Sequence, residues 1–207
     1  MEKTTRAAVA VFLFCITSCA NNSQTKNHSV NMEKNVKPIA SHFVSSPLRN
    51  SIRLELNAPA PEVWSLVGDP AKMPTYSSGL NKVISTTDQA GKCSEYTCYF
   101  KPLEEGGQEI VHTSNMVWFE PNKGWASLDE EPNTFGFTQS LTLITLEEKD
   151  GKTILNWTMN FNSEDPAMLQ LNVSSLEEAL NNDIAQKLIA KFGGRKLDNF
   201  VYGKEKS

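Results

Sequence analysis

The sequence predicts an α+β domain: a curved antiparallel sheet closed by one long C-terminal helix, with two short helices after the first strand. Three observations carry that expectation. Residues 83–162 hold a succession of alternating or β-branched runs separated by short turn signals, the pattern of a meander. Leu176, Leu180, Ile184, Leu188 and Phe192 recur every four residues, which marks one apolar stripe on a helix. Between the first strand and the meander, residues 57–70 open a helix behind prolines.

The elements follow in order. Residues 52–56 alternate as a strand, with Ile52, Leu54 and Leu56 on one side. Residues 71–76 read as a second short helix broken by Pro74. Residues 83–87 and 94–101 are strand runs, the second stopped by Pro102, and residues 104–107 (EEGG) are a turn. Residues 109–120 form a long strand ended by Pro121, and residues 125–128 a short one. Residues 134–147 read as the strongest strand, with Phe135, Phe137, Leu141 and Leu143 on one face and Ser140 and Thr142 on the other. Asp150-Gly151 is a hairpin turn, and residues 153–162 return with Leu155, Trp157, Met159 and Phe161 on the inward side. The final helix starts at Ser174 or Ser175, each three residues ahead of a glutamate in a capping box. Lys187, Lys191, Arg195 and Lys196 crowd its later turns, where they complement the helix dipole. Gly193 and Gly194 read as a helix stop followed by a short second piece through Phe200, or as room for a ligand or for close approach of the sheet.

Residues 58–76 and the terminal helix, in this order of elements, resemble the START-like (SRPBCC) superfamily, which includes polyketide cyclase/dehydrase-like and lipid-transfer-like proteins. The resemblance implies a helix-grip fold around an apolar cavity. It makes Phe137, Leu141, Trp157, Met159 and Phe161 on the sheet, with Ile184, Leu188 and Phe192 on the helix, the wall candidates. Some relatives catalyse cyclisation or dehydration in such a pocket; their activity carries no portable motif that matches this chain residue by residue.

The N-terminus reads as an export signal. Lys3 and Arg6 precede an apolar run, residues 7–16, too short to span a bilayer. It ends at Ile16-Thr17-Ser18-Cys19, which resembles a bacterial lipobox. There the small residues admit the peptidase and the Cys19 thiol takes the lipid. The expected organisation is a signal peptide over residues 1–18, a tether over 19–47, a START-like domain over 48–202 and a short tail over 203–207. The tether is rich in Asn, Ser, Lys and Thr, although residues 39–44 carry enough apolar character to pack on the domain instead. Ala20 after the cysteine implies the outer membrane by the sorting rule of some bacteria, so the expected location is the bacterial cell envelope, lipid-anchored and facing the periplasm. Losing residues 1–18 removes a net +1 and takes the charge from −4 to −5. An acidic body does not adsorb to anionic lipid, so membrane attachment rests on acylation. No basic block interleaves with aromatics, which argues against nucleic-acid binding.

Candidate chemistry is sparse. Cys93 and Cys98 are either a disulfide or two thiols: on one straight strand they point to opposite faces about 17 Å apart, so a bridge needs residues 94–97 to turn back. No metal site is expected, since the CxxC spacing is absent and His112 is the one histidine within the domain. His112 is a weak candidate general base; Glu109, three positions away, faces the other side of a strand, so it reads first as a structural residue. G-x-S-x-G, Walker, H-E-x-x-H and dinucleotide-binding patterns are absent, and no cofactor is implied. The leading expectation is an envelope protein that binds a hydrophobic small molecule or lipid. The alternatives are a cyclase/dehydrase-like enzyme using His112 or Gln139, and a non-catalytic protein-interaction module.

Overall fold

A computed structural model of the chain describes residues 49–89, 92–102, 104–129, 135–163, 165 and 173–201. The expected signal peptide, Cys19, the tether and the tail lie outside these residues.

Eight strands form one sheet: β1 (Arg49–Leu56), β2 (Leu80–Thr87), β3 (Cys93–Phe100), β4 (Ile110–Glu120), β5 (Gly124–Asp129), β6 (Gln139–Lys149), β7 (Lys152–Asn162) and β8 (Gly194–Val201). Their order is β2-β3-β4-β5-β6-β7-β1-β8, and every neighbouring pair is antiparallel. Strands β2 to β7 are a meander, as the turn signals required. The β6–β7 hairpin closes through Asp150 (φ 54°) and Gly151 (φ 73°), the left-handed pair that matches strand twist.

Between β1 and β2 lies α1 (Ala60–Val67), followed by a 3-10 helix (Pro70–Thr75). Pro61 sits in the first turn of α1, where its missing N–H costs nothing, and the free Ala60 N–H donates to Glu148 Oε2 at 2.8 Å. Asp69 Oδ1 caps the 3-10 helix by accepting from the Ala71 N–H at 2.9 Å. Pro74 lies inside this helix rather than ending it.

Residues 173–192 are one helical run, α2, about 30 Å long. Its middle, Glu178–Ile184, is π-helical, and Ala185–Phe192 is regular α-helix. A strict four-residue stripe drifts around a helix of 3.6 residues per turn. The wider π turns offset that drift, so Leu180, Ile184 and Leu188 all stay buried against the sheet. Burying each contributes about 2 kcal/mol. Ser174 and Ser175 fall inside the first turn, because the run already includes Val173.

Gly193 (φ 70°) ends α2, its N–H donating to Ile189 O at 2.8 Å. The piece that follows is a strand, β8, which the sequence pattern did not indicate. Gly194 (φ 110°) makes the close approach: a Cβ there would stand 1.9 Å from the Glu55 carbonyl oxygen. Arg195 and Lys196 therefore sit on β8 and not in the last helical turn; Arg195 Nε lies 3.5 Å from Glu55 Oε1. Lys187 pairs with Asp183 at 2.9 Å.

Candidate interior site

The concave face of the sheet, covered by α2, carries two separate apolar clusters. The larger gathers Ile52, Leu54, Leu56, Trp125, Ile144, Leu155 and Trp157 with Val63, Tyr76, Leu180, Ile184 and Leu188. The smaller joins Phe137, Phe161 and Val173, with Phe135, Met159 and Leu176 packed on it. Met159 touches both.

Strand register explains what lies between them. One cross-strand row, Ile52-Trp157-Ile144-Trp125, is wholly apolar. The next, Asn50-Met159-Thr142-Ser127-Met116, is half polar. The third runs Phe161-Ser140-Asp129, and on the adjoining strands Ser114 pairs with Tyr96. Asn50, Ser114, Ser127 and Ser140 are all buried. A belt of polar side chains thus crosses the interior between two greasy patches.

The belt is wired at one end. His112 Nε2 lies 3.0 Å from Asp129 Oδ2 and 3.2 Å from Ser114 Oγ. Ser140 Oγ donates to the same Asp129 oxygen at 2.6 Å. The His112 and Asp129 side chains are only 13% and 12% exposed. A carboxylate bound to one imidazole nitrogen fixes the tautomer and leaves the other nitrogen as an acceptor, the arrangement a general base needs. Tyr96 O–H and Ser127 Oγ bond at 2.8 Å, and burial pushes the Tyr96 phenol well above its ordinary range. Phe100, Phe135, Phe137 and Phe161 continue from His112 as a chain of ring contacts, 5.5 Å from His112 to Phe135 and 4.6 Å from Phe137 to Phe161.

Four buried polar atoms of this interior have no hydrogen-bond partner among the described residues: Asn50 Oδ1, Tyr76 O–H, Asp129 Oδ1 and Trp157 Nε1. Tyr76 and Trp157 pack edge to face at 6.2 Å, and burial pushes the Tyr76 phenol far up. More than nine in ten buried polar groups normally find a partner, so these four are exceptions; Asn160 Nδ2, of the opposite parity on β7, is a fifth.

The candidate residues sort as follows. Trp157, Ile184 and Leu188 are core residues of the larger cluster, and Phe192 packs at its edge. Phe137, Phe161 and Met159 line the smaller one. Leu141 does not belong to the wall. It lies on the outer face with Ala126, Val117, Trp118, Leu128 and Leu143. The alternation of Phe135 and Phe137 does not continue into β6, because the chain bends at Thr138 and the strand starts only at Gln139. The inward set of β6 is accordingly Ser140, Thr142, Ile144 and Leu146, and Gln139 shares the outward parity of Leu141.

Cys93 and Cys98 are free thiols, so the bridge is absent. Strand β3 runs on between β2 and β4 through residues 94–97 without turning back. Burial, and secondarily Asp129, push the Cys98 thiol up to about 12. Among the described residues no group of three or more His, Cys, Asp and Glu stands close enough to hold a metal ion, and no helix is long and apolar enough to cross a membrane.

Asp129, Ser114, Ser127, Ser140, Tyr96, Tyr76 and Asn50 escaped the sequence reading. The parity of Trp125, Ser127 and Asp129 on β5 was the signal that could have found two polar neighbours of an inward tryptophan.

No protein-family model matches the chain, and no curated protein matches it. Solved structures do. A START superfamily protein from Mycobacterium smegmatis matches with a TM-score of 0.54 at 16% identity, over 70% of this chain and 97% of that one. XoxI from Bacillus cereus matches with a TM-score of 0.52 at 14% identity, over 70% and 95%. The Zhui aromatase/cyclase from Streptomyces sp. R1128 matches with a TM-score of 0.52 at 15% identity, over 69% and 94%.

Proposed function

We propose that this chain, which has the START-like (SRPBCC) helix-grip fold, carries a hydrophobic small molecule between the concave sheet and α2. One observation supports this above all: Asn50, Tyr76, Asp129 and Trp157 each bury a polar atom that nothing in the described protein satisfies. Evolved interiors keep such groups when a ligand or ordered water completes them. Apolar surface buried on the two flanking clusters would supply affinity at ~25 cal/mol per Å² before ordering costs. The carrier is anchored in the cell envelope through acylated Cys19, on the outer membrane facing the periplasm. Solvent extraction of the purified full-length chain, followed by mass spectrometry, tests the carrier reading. A stoichiometric hydrophobic compound supports it; a protein that comes empty and takes up no apolar probe refutes it. The intact mass of the full-length chain tests acylation separately.

The His112–Asp129 pair favours a second reading, a cyclase/dehydrase-like reaction in the same interior with His112 as the base. An aromatase/cyclase among the structural neighbours fits that chemistry. Turnover of a captured ligand that is lost in His112→Ala, with ligand uptake retained, would select this reading over simple carriage.

A further inference from the structure

The polar belt also constrains the chemistry of the molecule it would hold, an argument that rests on the interior being a ligand site. Asp129 spends one carboxylate oxygen on Ser140 and His112 and keeps Oδ1 buried and without a partner among the described residues. An unpartnered carboxylate oxygen accepts and cannot donate, so the group that meets it carries a hydrogen. A second carboxylate or a phosphate there would set like charges together in a low-dielectric interior, which costs heavily. Trp157 Nε1–H, also without a partner among the described residues, lies in the apolar row rather than in the belt and donates only. Tyr76 O–H, packed on the Trp157 ring, takes either role. A neutral hydroxyl is both donor and acceptor. The aromatic chain Phe135, Phe137 and Phe161 beside His112 supplies an apolar bed for the rest of the molecule.

We propose that the belt selects a hydroxyl-bearing hydrophobic molecule over its anionic counterpart, with the hydroxyl hydrogen directed to Asp129 Oδ1 and the apolar body on the Phe135, Phe137 and Phe161 rings. Fatty acids and other anionic lipids are thereby discriminated against. Calorimetric titration of the full-length protein with naphthalene, 2-naphthol and 2-naphthoate tests this. The expected result is 2-naphthol binding about tenfold or more tighter than naphthalene, with 2-naphthoate weakest. In Asp129→Leu the affinity ratio of naphthol to naphthalene should fall towards one. Should that variant fail to fold by circular dichroism, Asp129→Asn, which removes the charge at nearly unchanged volume, should raise the affinity for 2-naphthoate relative to 2-naphthol several-fold. Equal affinity for the three probes in the native protein overturns the selection while leaving the carrier reading standing. Binding of none of them, up to their solubility limits, overturns the carrier reading and this inference with it. Tightest binding by 2-naphthoate overturns the selection alone.

Discussion

The Trp125 indole N–H donates to the Val67 carbonyl at 2.8 Å, joining the middle of the sheet to the last turn of α1. Trp157, its neighbour at 6.5 Å between ring centres, is nearly as buried but has no acceptor for its own indole N–H among the described residues. Two tryptophans in one cluster therefore have different tasks. Trp125→Phe should cost about 3 kcal/mol, from lost volume plus an orphaned carbonyl at the end of α1. Trp157→Phe loses volume alone and should cost clearly less, about half as much. Urea unfolding of both variants checks the contrast, and equal losses would contradict the assignment.

Gly194 should tolerate nothing larger. Gly194→Ala puts a Cβ into the Glu55 carbonyl at a φ of 110°, and the strand pairing of β8 on β1 must give way. A loss of at least about 3 kcal/mol is expected. Gly79→Ala, with open space around the added carbon, should change stability by less than about 0.5 kcal/mol. Thermal melts of the pair measure the difference.

Asp183 fastens α2 to the loop after the 3-10 helix. Its carboxylate accepts from the Ser78 N–H and hydroxyl and pairs with Lys187. Burial works against the charged form, but these bonds outweigh it and hold the carboxyl below the ordinary range. A lowered folded-state value means the stabilisation is complete above the unfolded value of roughly 4 and disappears as pH falls through the folded one. Asp183→Asn should lose about 1 kcal/mol at neutral pH and show a flatter decline in stability below pH 4. Denaturant titrations between pH 2.5 and 7 would reveal an unchanged slope if the contact is idle.

The two thiols of β3 should behave differently. Burial raises both, but Cys98 is the more deeply covered and is pushed up to about 12. At pH 8 iodoacetamide should label Cys93 well ahead of Cys98 in the folded protein, and both equally in denaturant. Peptide mapping reads the ratio. Recovery of a Cys93–Cys98 disulfide peptide from untreated protein would contradict two free thiols.

Legibility from sequence followed the range of the interactions. Strand β7 announced its inward face because Leu155, Trp157, Met159 and Phe161 alternate without interruption. The stripe on α2 was visible too, although its spacing of four concealed the π turns that keep it straight. Where the chain bends at Thr138, between Phe137 and Gln139, the alternation is reset, and the inward set of β6 was misread and Leu141 with it. The site itself was harder. His112 looked partnerless because its acid lies on the next strand, seventeen positions on, and Asp129 opens an acidic stretch that reads as a solvated turn. Strand β8 was missed because most of its exposed residues give no alternating apolar signal; it exists through pairing with β1.

That pairing sets Val201 directly across from Asn50. The polypeptide therefore enters and leaves this fold at a single corner, while the Asp150-Gly151 hairpin lies at the far end of β7. Segments joined directly before Arg49 and directly after Val201 would start side by side at that corner. A permuted version that links Val201 back to Arg49 and opens the chain at Asp150-Gly151 would move both ends to the opposite pole without redrawing the sheet.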